Sequence, residues 1–352
     1  MPPFPFKRGA GGGRGVSLLA KIPVVPQFKT DPDTDEESFE SLKSFSGMLF
    51  GSEDERRGIT RDQNGISYTY SKSSLENHAP IGQIEDIEIH STTTNVLRGW
   101  LYHPDAGIAA QHQNRSQYVV LFLSGSGGPA EEYSQAVGRF YAGRGIKTLA
   151  VNYRGYGNSG SKFRHGHGRG GTPTESGLYD DAYYMYLYLT KTKGFSGSHV
   201  IVHGYSLGGA IAANLVRTLV RRKKTLRGLV LQSPMVSAPK AAADDDMATP
   251  MKAPAALLTW SLFGSFDTIG CMKEIAKKRP NLKLCLTSGD KSYGDQLDIS
   301  APLFMSKKTF LQQVQSMGFT TVNHARASAN HVQASAHMSA ADHNGNISTM
   351  WT

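Results

Sequence analysis

From residue 118 onward the chain alternates short, wholly apolar runs with amphipathic stretches of ten or more residues, and few folds accept that rhythm. "YVVLFLSG" (118–125) precedes "AEEYSQAVGRFYAGRG" (130–145), "IKTLAVNYRG" precedes "ESGLYDDAYYMYLYLTKTKG", and "HVIVHGYS" precedes "LGGAIAANLVRTLVRRK". "LRGLVLQSP", "NLKLCLTSG" (281–289) and "APLFMSKKTFLQQVQSMG" (301–318) continue the series. Apolar runs without alternation are strands buried on both faces, and helical connections between them impose right-handed crossovers. The pattern predicts one α/β domain, a mostly parallel central sheet with helices on both faces. "IEDIEIHSTT" and "NVLRGWLYHP" instead have period two and predict an opening antiparallel hairpin.

Two regions break the rhythm. Residues 1–80 scatter Gly, Pro, Ser and acidic side chains with little apolar periodicity, which predicts a flexible N-terminal arm ahead of a domain over 81–352. An arm of that composition suits a delivery or partner-binding segment, as in secreted effectors, and equally a tail without a function of its own. The Ala-, Pro- and Met-rich stretch over 235–266 sits where a small cap or lid over a pocket can be inserted.

Composition excludes several classes of function. The 352 residues are 39% hydrophobic and 19% charged, a globular composition with length enough for a sizeable core. No apolar run reaches the roughly eighteen residues of a membrane span, and the N-terminus lacks the h-region of a Sec signal. The expected location is the cytoplasm, or a host cytosol after delivery. Cys271 and Cys285 are the only cysteines and lie in no metal-binding spacing, so neither a disulfide framework nor a metal or other cofactor is expected. A net charge of +9, concentrated in "VRRKKTLR" (220–227) and "KKRP" (277–280), favours peripheral contact with an anionic membrane. No nucleic-acid signature accompanies it.

The chemistry concentrates at "VHGYSLGG". A serine hydroxyl becomes a nucleophile when a base takes its proton and donors receive the developing oxyanion. Gly-x-Ser-x-Gly between a strand and a helix meets the geometric part of that need, since the flanking glycines admit a turn that side chains would block. Ser206 is therefore the candidate nucleophile. Ser124 to Gly128, after the strand at 118–125, places backbone amides at the carboxyl edge of the sheet, where ligands bind in such folds. The amides of Ser126 and Leu207 supply two donors for an oxyanion hole.

Three segments in order, "VNYRGYGNSGS" (151–161), "PTESGLYDDA" (173–182) and "GYSLGG", resemble the α/β-hydrolase superfamily. The likeness is greatest to its branch of Bem46-like proteins, α/β-hydrolase-domain lipid hydrolases and protein depalmitoylases. It spans about residues 84–290. It implies an α/β-hydrolase fold, a Ser206 nucleophile, and backbone oxyanion donors at Ser126 and Leu207. The usual His-Gly before the oxyanion residue is Ser124-Gly125 here, and "KFRHGHGRGG" (162–171) is an insertion that reads as a surface loop.

Triad order in this fold is serine, acid, base. The resemblance places the acid after "NLKLCLTSG", in a slot that Ser292 occupies; Asp290 comes two places early and Asp295 three places late, and both stay candidates. His324, His331, His337 and His343 follow the last clear helix. Asp342-His343-Asn344 is nearest to the family's base context, whereas His324 follows the strand-like "FTTVN" directly. The expected activity is cleavage of an ester or thioester on a small acyl ester, lipid or acylated protein through a Ser-His-Asp triad. The rival readings are a same-fold peptidase and a non-catalytic binding protein.

Overall fold

The computed structural model describes residues 50, 53–62, 65–68, 76, 78–91, 95–161, 173–237, 265–289, 308–328 and 347–351. The chain divides into a unit over residues 1–41 and a second unit over 42–352; all the described residues belong to the second. A short helix α1 (Glu53–Arg57) and the hairpin β1 (Ile59–Asp62) and β2 (Gly65–Tyr68) come first. The antiparallel pair β3 (Ile81–His90) and β4 (Asn95–Pro104) follows, at the hairpin that period-two patterning predicts. A one-and-a-half-turn helix α2 (Ala106–Gln111) leads to β5 (Val119–Leu123).

The remaining elements alternate as the apolar pattern requires. They are α3 (Ala130–Ala142), β6 (Lys147–Val151), the two-residue β7 (Gly160–Ser161), α4 (Glu175–Leu187), β8 (Val200–Tyr205) and α5 (Leu207–Arg221). Then come β9 (Gly228–Gln232), α6 (Thr268–Lys278), β10 (Lys283–Ser288), α7 (Phe310–Gln315) and β11 (Val322–Arg326). Among the described residues, nine strands form one sheet in the order β11-β10-β9-β8-β5-β6-β4-β3, with β7 paired to β4 off that path. Strands β5, β6 and β8 to β11 are mutually parallel, so their carboxyl ends share one edge. β5, β8 and β9 are buried at every position, which is why they read as unbroken apolar runs.

Helices α4, α5, α6 and α7 cover one face around Leu121, Val202, Leu229 and Leu284. Helix α3 and the C-terminal residues Ile347, Met350 and Trp351 cover the other around Val120, Phe122, Ile201 and Val230. A buried polar group crosses that second core. His203 on β8 lies between the Tyr141 hydroxyl at 3.2 Å and Gln232 Oε1 at 3.0 Å. Both contacts are satisfied when Nε2–H donates to Gln232 and Nδ1 accepts from Tyr141. Burial pushes the imidazole down to about 3, so it stays neutral in the native state.

Contacts of the domain begin earlier in the chain than the composition suggests. Phe50 is fully buried in the first core, its ring edge-on to Phe266 at 6.4 Å, and its carbonyl accepts from the Tyr156 hydroxyl. Gly157 N donates to the Arg56 carbonyl, and Arg57 Nη1 to the Gly157 carbonyl. Residues 50–57 thus pack on the body, ahead of the expected boundary at 80 and within the unit that begins at Leu42. Phe50 ends the apolar run Met48-Leu49-Phe50, which is too short to carry a periodicity. Residues 238–264, most of the expected cap, lie outside the described residues, as does 162–171.

Two outcomes follow from this packing. Phe50→Ala should destabilise the domain by about 3–5 kcal/mol in denaturant unfolding, the range for emptying a buried phenylalanine site. Stability should also fall with acid. A histidine whose folded pKa of about 3 lies below its unfolded value of 6.5 adds stability that is complete above 6.5 and lost as pH drops toward 3. Unfolding curves between pH 7 and 4 should show this slope, and His203→Gln should flatten it relative to wild type.

Candidate active site

Ser206 sits where β8 turns into α5, with φ 54° and ψ −120°. Such a backbone is sparsely populated for a residue with a side chain and persists only where its surroundings over-determine it. Here they do. Ser206 N donates to the Gln232 carbonyl at 3.0 Å, and the Ser206 carbonyl accepts from Gly209 N and Met235 N, both at 2.9 Å. The flanking glycines are a steric necessity. A Cβ on Gly204 would lie 2.2 Å from the Gly208 carbonyl oxygen, and one on Gly208 would lie 1.9 Å from that of Leu123. Strand β5, the turn and helix α5 are in backbone contact, and Ser206 is carried at the apex, 9% exposed.

The loop after β5 lies beside this turn. The position that a Gly125 Cβ would take is 3.3 Å from Ser206 Cβ and from the Tyr205 ring, so the chain entering Ser126 passes against Ser206. Leu207 is the first residue of α5, where a backbone N–H has no intrahelical acceptor and the helix dipole is positive. Ser124, which stands at the family's histidine position, has a buried hydroxyl, and its carbonyl accepts from the Tyr153 hydroxyl at 3.2 Å.

The two other sequence signatures build the rim around that loop. Asn152 Oδ1 accepts from Ala130 N at 2.7 Å, capping α3 from the neighbouring strand, while its Nδ2 holds both Glu131 carboxylate oxygens. Burial raises the Glu131 carboxyl above the ordinary carboxylate range. The fully buried Asp181 accepts from Arg154 N at 2.8 Å and from its guanidinium at 2.7 Å, joining the "RGYG" turn to α4. Burial raises the Asp181 carboxyl against the opposing pull of that guanidinium. Sequence reasoning gave these residues no role, because a Glu in a first helical turn and an Asp on a helix both read as solvated; their only local signal is the motif itself. The cysteines stand apart from this chemistry. Burial pushes the Cys271 thiol up to about 11 and the Cys285 thiol up to about 12.

The remaining candidates divide. Strand β10 delivers the chain to the same edge as Ser206, with Ser233 N donating to the Thr287 carbonyl there; Asp290 and Asp295 lie just past it, outside the described residues. His331, His337 and His343 are also outside them. His324 is not at the end of a strand, as its expected position requires. β11 runs on to Arg326, pairing His324 opposite Leu286, so this exposed side chain sits mid-strand. It is three strands from β8, about 14 Å at ordinary strand spacing. The strand continues because β10 offers partners up to Ser288, a constraint absent from the local sequence.

The C-terminal residues are pinned at the opposite edge. Arg227 Nε, just ahead of β9, donates to the Met350 carbonyl at 2.7 Å, and Lys283 Nζ, at the start of β10, donates to that of Thr349 at 2.6 Å. Ile347 and Met350 are fully buried, and the Trp351 ring packs edge-on to Tyr141.

Comparison with known proteins agrees with this geometry. A multifunctional-autoprocessing repeats-in-toxin of Vibrio vulnificus is 35% identical over 267 residues, 76% of this chain and 5% of the toxin. The Vibrio cholerae toxin of the same name is 33% identical over 267 residues, again 5% of its length. The chain thus spans about one twentieth of these relatives. Lysophosphatidylserine lipase ABHD12 of Xenopus tropicalis is 29% identical over 120 residues, 34% of this chain and 28% of that protein. Among solved structures, an alpha-beta hydrolase from Vibrio vulnificus superposes with a TM-score of 0.67 at 25% identity, covering 88% of this chain and 93% of that one. The Pyrococcus furiosus esterase Pf2001 shares the fold at a TM-score of 0.52 and 19% identity, over 80% of this chain and 92% of its own. The Hydrolase_4 family, described as serine aminopeptidase, S33, matches residues 114–338. That match covers more than half of the chain, which therefore belongs to the Hydrolase_4 family of α/β hydrolases.

Proposed function

We propose that this chain is a serine hydrolase that cleaves an ester or thioester bond of an acyl-chain substrate through an acyl-enzyme. The observation that carries the reading is the Ser206 backbone: a positive-φ serine, wedged between two glycines that nothing larger can replace, at the start of a helix. Ser206 Oγ attacks the carbonyl while a histidine takes its proton. The amides of Ser126 and Leu207 receive the oxyanion, and the histidine returns the proton to the leaving alcohol or thiol. Water then releases the acid by the same steps. The acid is Asp290 or Asp295, whose carboxylate fixes the imidazole tautomer. Acyl transfer of this kind draws on no metal or cofactor.

The base follows β11. The Asp342-His343-Asn344 context supports His343. Chain path supports His331: Ala327 N bonds the Ser288 carbonyl at the edge that carries Ser206, and His331 follows Ser328 by three residues. His343 precedes Ile347 by four residues, an extended reach of about 14 Å from a turn tied to the amino ends of β9 and β10.

Relatives named as lipases and esterases support lipid or acylated-protein esters as substrates. The family description favours peptides as the second reading. Likeness to a segment of two toxins supports delivery into a host cell as an effector. Exposed Arg222, Lys223 and Lys224 after α5, with Lys277 at the end of α6, support peripheral contact with an anionic membrane at the edge opposite Ser206.

Ser206→Ala should remove hydrolysis of p-nitrophenyl butyrate by on the order of 10⁴-fold or more, with an unchanged circular dichroism spectrum. Retained turnover would sink the mechanism, and turnover of leucine p-nitroanilide in preference to the ester would select the peptidase. In the same assay the alanine variant of the true base should match Ser206→Ala, without further loss in the double variant. His343→Ala inactive with His331→Ala active upholds the motif; the reverse upholds the chain path. Loss in His324→Ala alone would contradict both.

A further inference from the structure

Glu175, in the "PTESGLYDDA" signature, makes contacts that the dipole of its own helix does not explain. It opens α4 just after the N-cap Thr174, where an acidic side chain is ordinarily a solvated complement to the positive helix end. Its carboxylate instead reaches another segment. Oε2 accepts from Ser265 N at 3.0 Å and Oε1 from Phe266 N at 2.9 Å, and Oε1 also accepts from the Tyr179 hydroxyl at 2.8 Å. Phe266 is fully buried with φ 47°, its ring edge-on to Tyr179 at 5.8 Å and to Phe50. Two amides of a strained turn are therefore held by one carboxylate.

The held turn leads to the nucleophile in two further bonds. Thr268 N donates to the Val236 carbonyl at 3.1 Å, and Thr268 Oγ1 to the Met235 carbonyl at 2.6 Å. Met235 N donates to the Ser206 carbonyl. Thr268 N also donates to the Phe266 carbonyl at 2.8 Å, so the path Glu175, Phe266, Thr268, Met235, Ser206 is continuous and each link is a hydrogen bond.

We propose that Glu175 is a positioning residue for the nucleophile: it clamps the Ser265–Thr268 turn onto Met235 and so keeps the Met235 amide on the Ser206 carbonyl. The consequence for catalysis rests on the hydrolase reading; the clamp itself does not. An elbow at positive φ needs every bond that over-determines it. Removing the clamp loosens one of the two donors to the Ser206 carbonyl and leaves the glycines and the Gln232 contact in place.

Amide hydrogen exchange and steady-state kinetics on Glu175→Gln, Glu175→Ala and Thr268→Val test this. Glutamine keeps the side-chain shape but turns an N–H₂ toward one of the two backbone donors, so it should fold where alanine does not. Exchange at Ser265, Phe266 and Met235 should accelerate at least about tenfold in Glu175→Gln. Per titrated active site, kcat should fall about tenfold with KM within twofold, a split that a loss of stability alone does not produce. Thr268→Val should speed exchange at Met235 and lower kcat similarly, and the double variant should be less than additive. Unchanged Met235 exchange in Glu175→Gln, or unchanged kcat with faster exchange, overturns the proposal. If wild type turns over no ester and takes no acylating probe, the hydrolase reading fails, and Met235 exchange alone then decides whether the clamp exists.

Discussion

The closest contact in the site is between main chains. The Gly208 backbone lies so near the carbonyl of Leu123 that a methyl group cannot enter, and the same holds between Gly204 and Gly208. That approach sets the angle between β8 and α5, and the angle leaves Ser206 no relaxed conformation. Strand β5 is therefore both the central neighbour of β8 and the support of the elbow. The loop that leaves β5 is delivered to the side of Ser206 by the same contact. The proposed nucleophile and its proposed oxyanion donors thus share one packing event, and hydrogen bonds to Gln232, Gly209 and Met235 hold the Ser206 backbone in place.

Parallel strands give the molecule two unlike ends. At the carboxyl edge are Ser206, the Ser126 loop, the "RGYG" turn and the point where β10 leads toward Asp290 and Asp295. At the amino edge the helices end, and their last turns carry Arg221, Lys277 and Lys278, of which Arg221 and Lys278 both pair with Glu274. Basic side chains complement helix C-termini, so part of this charge is local chemistry. The proposed membrane contact would use that amino edge, across the sheet from Ser206.

The legible parts of the sequence were those whose information is local. β5, β8 and β9 could be read because burial on both faces leaves no polar position to confuse the run. Ser206 could be read because glycine is the only residue that fits beside it. Phe50 could not, since a three-residue apolar run has no period. The end of β11 could not either: its length follows from pairing with β10, and the strand carries His324 two residues short of the place its sequence suggested. Glu175 looked like an ordinary helix start because its partners, Ser265 and Phe266, lie some ninety residues away. The acid and base share that difficulty, since a triad converges in space from loops that carry no periodicity.

The central claim is that the backbone at residue 206 holds an activated serine. A fluorophosphonate reacts with a serine whose proton is being taken and whose oxyanion is received, and leaves other hydroxyls unlabelled. Peptide mass spectrometry after brief exposure of the folded chain reads the result directly. The account predicts a single adduct on Ser206, absent after denaturation before labelling. An unlabelled chain, or an adduct on another serine, would contradict it.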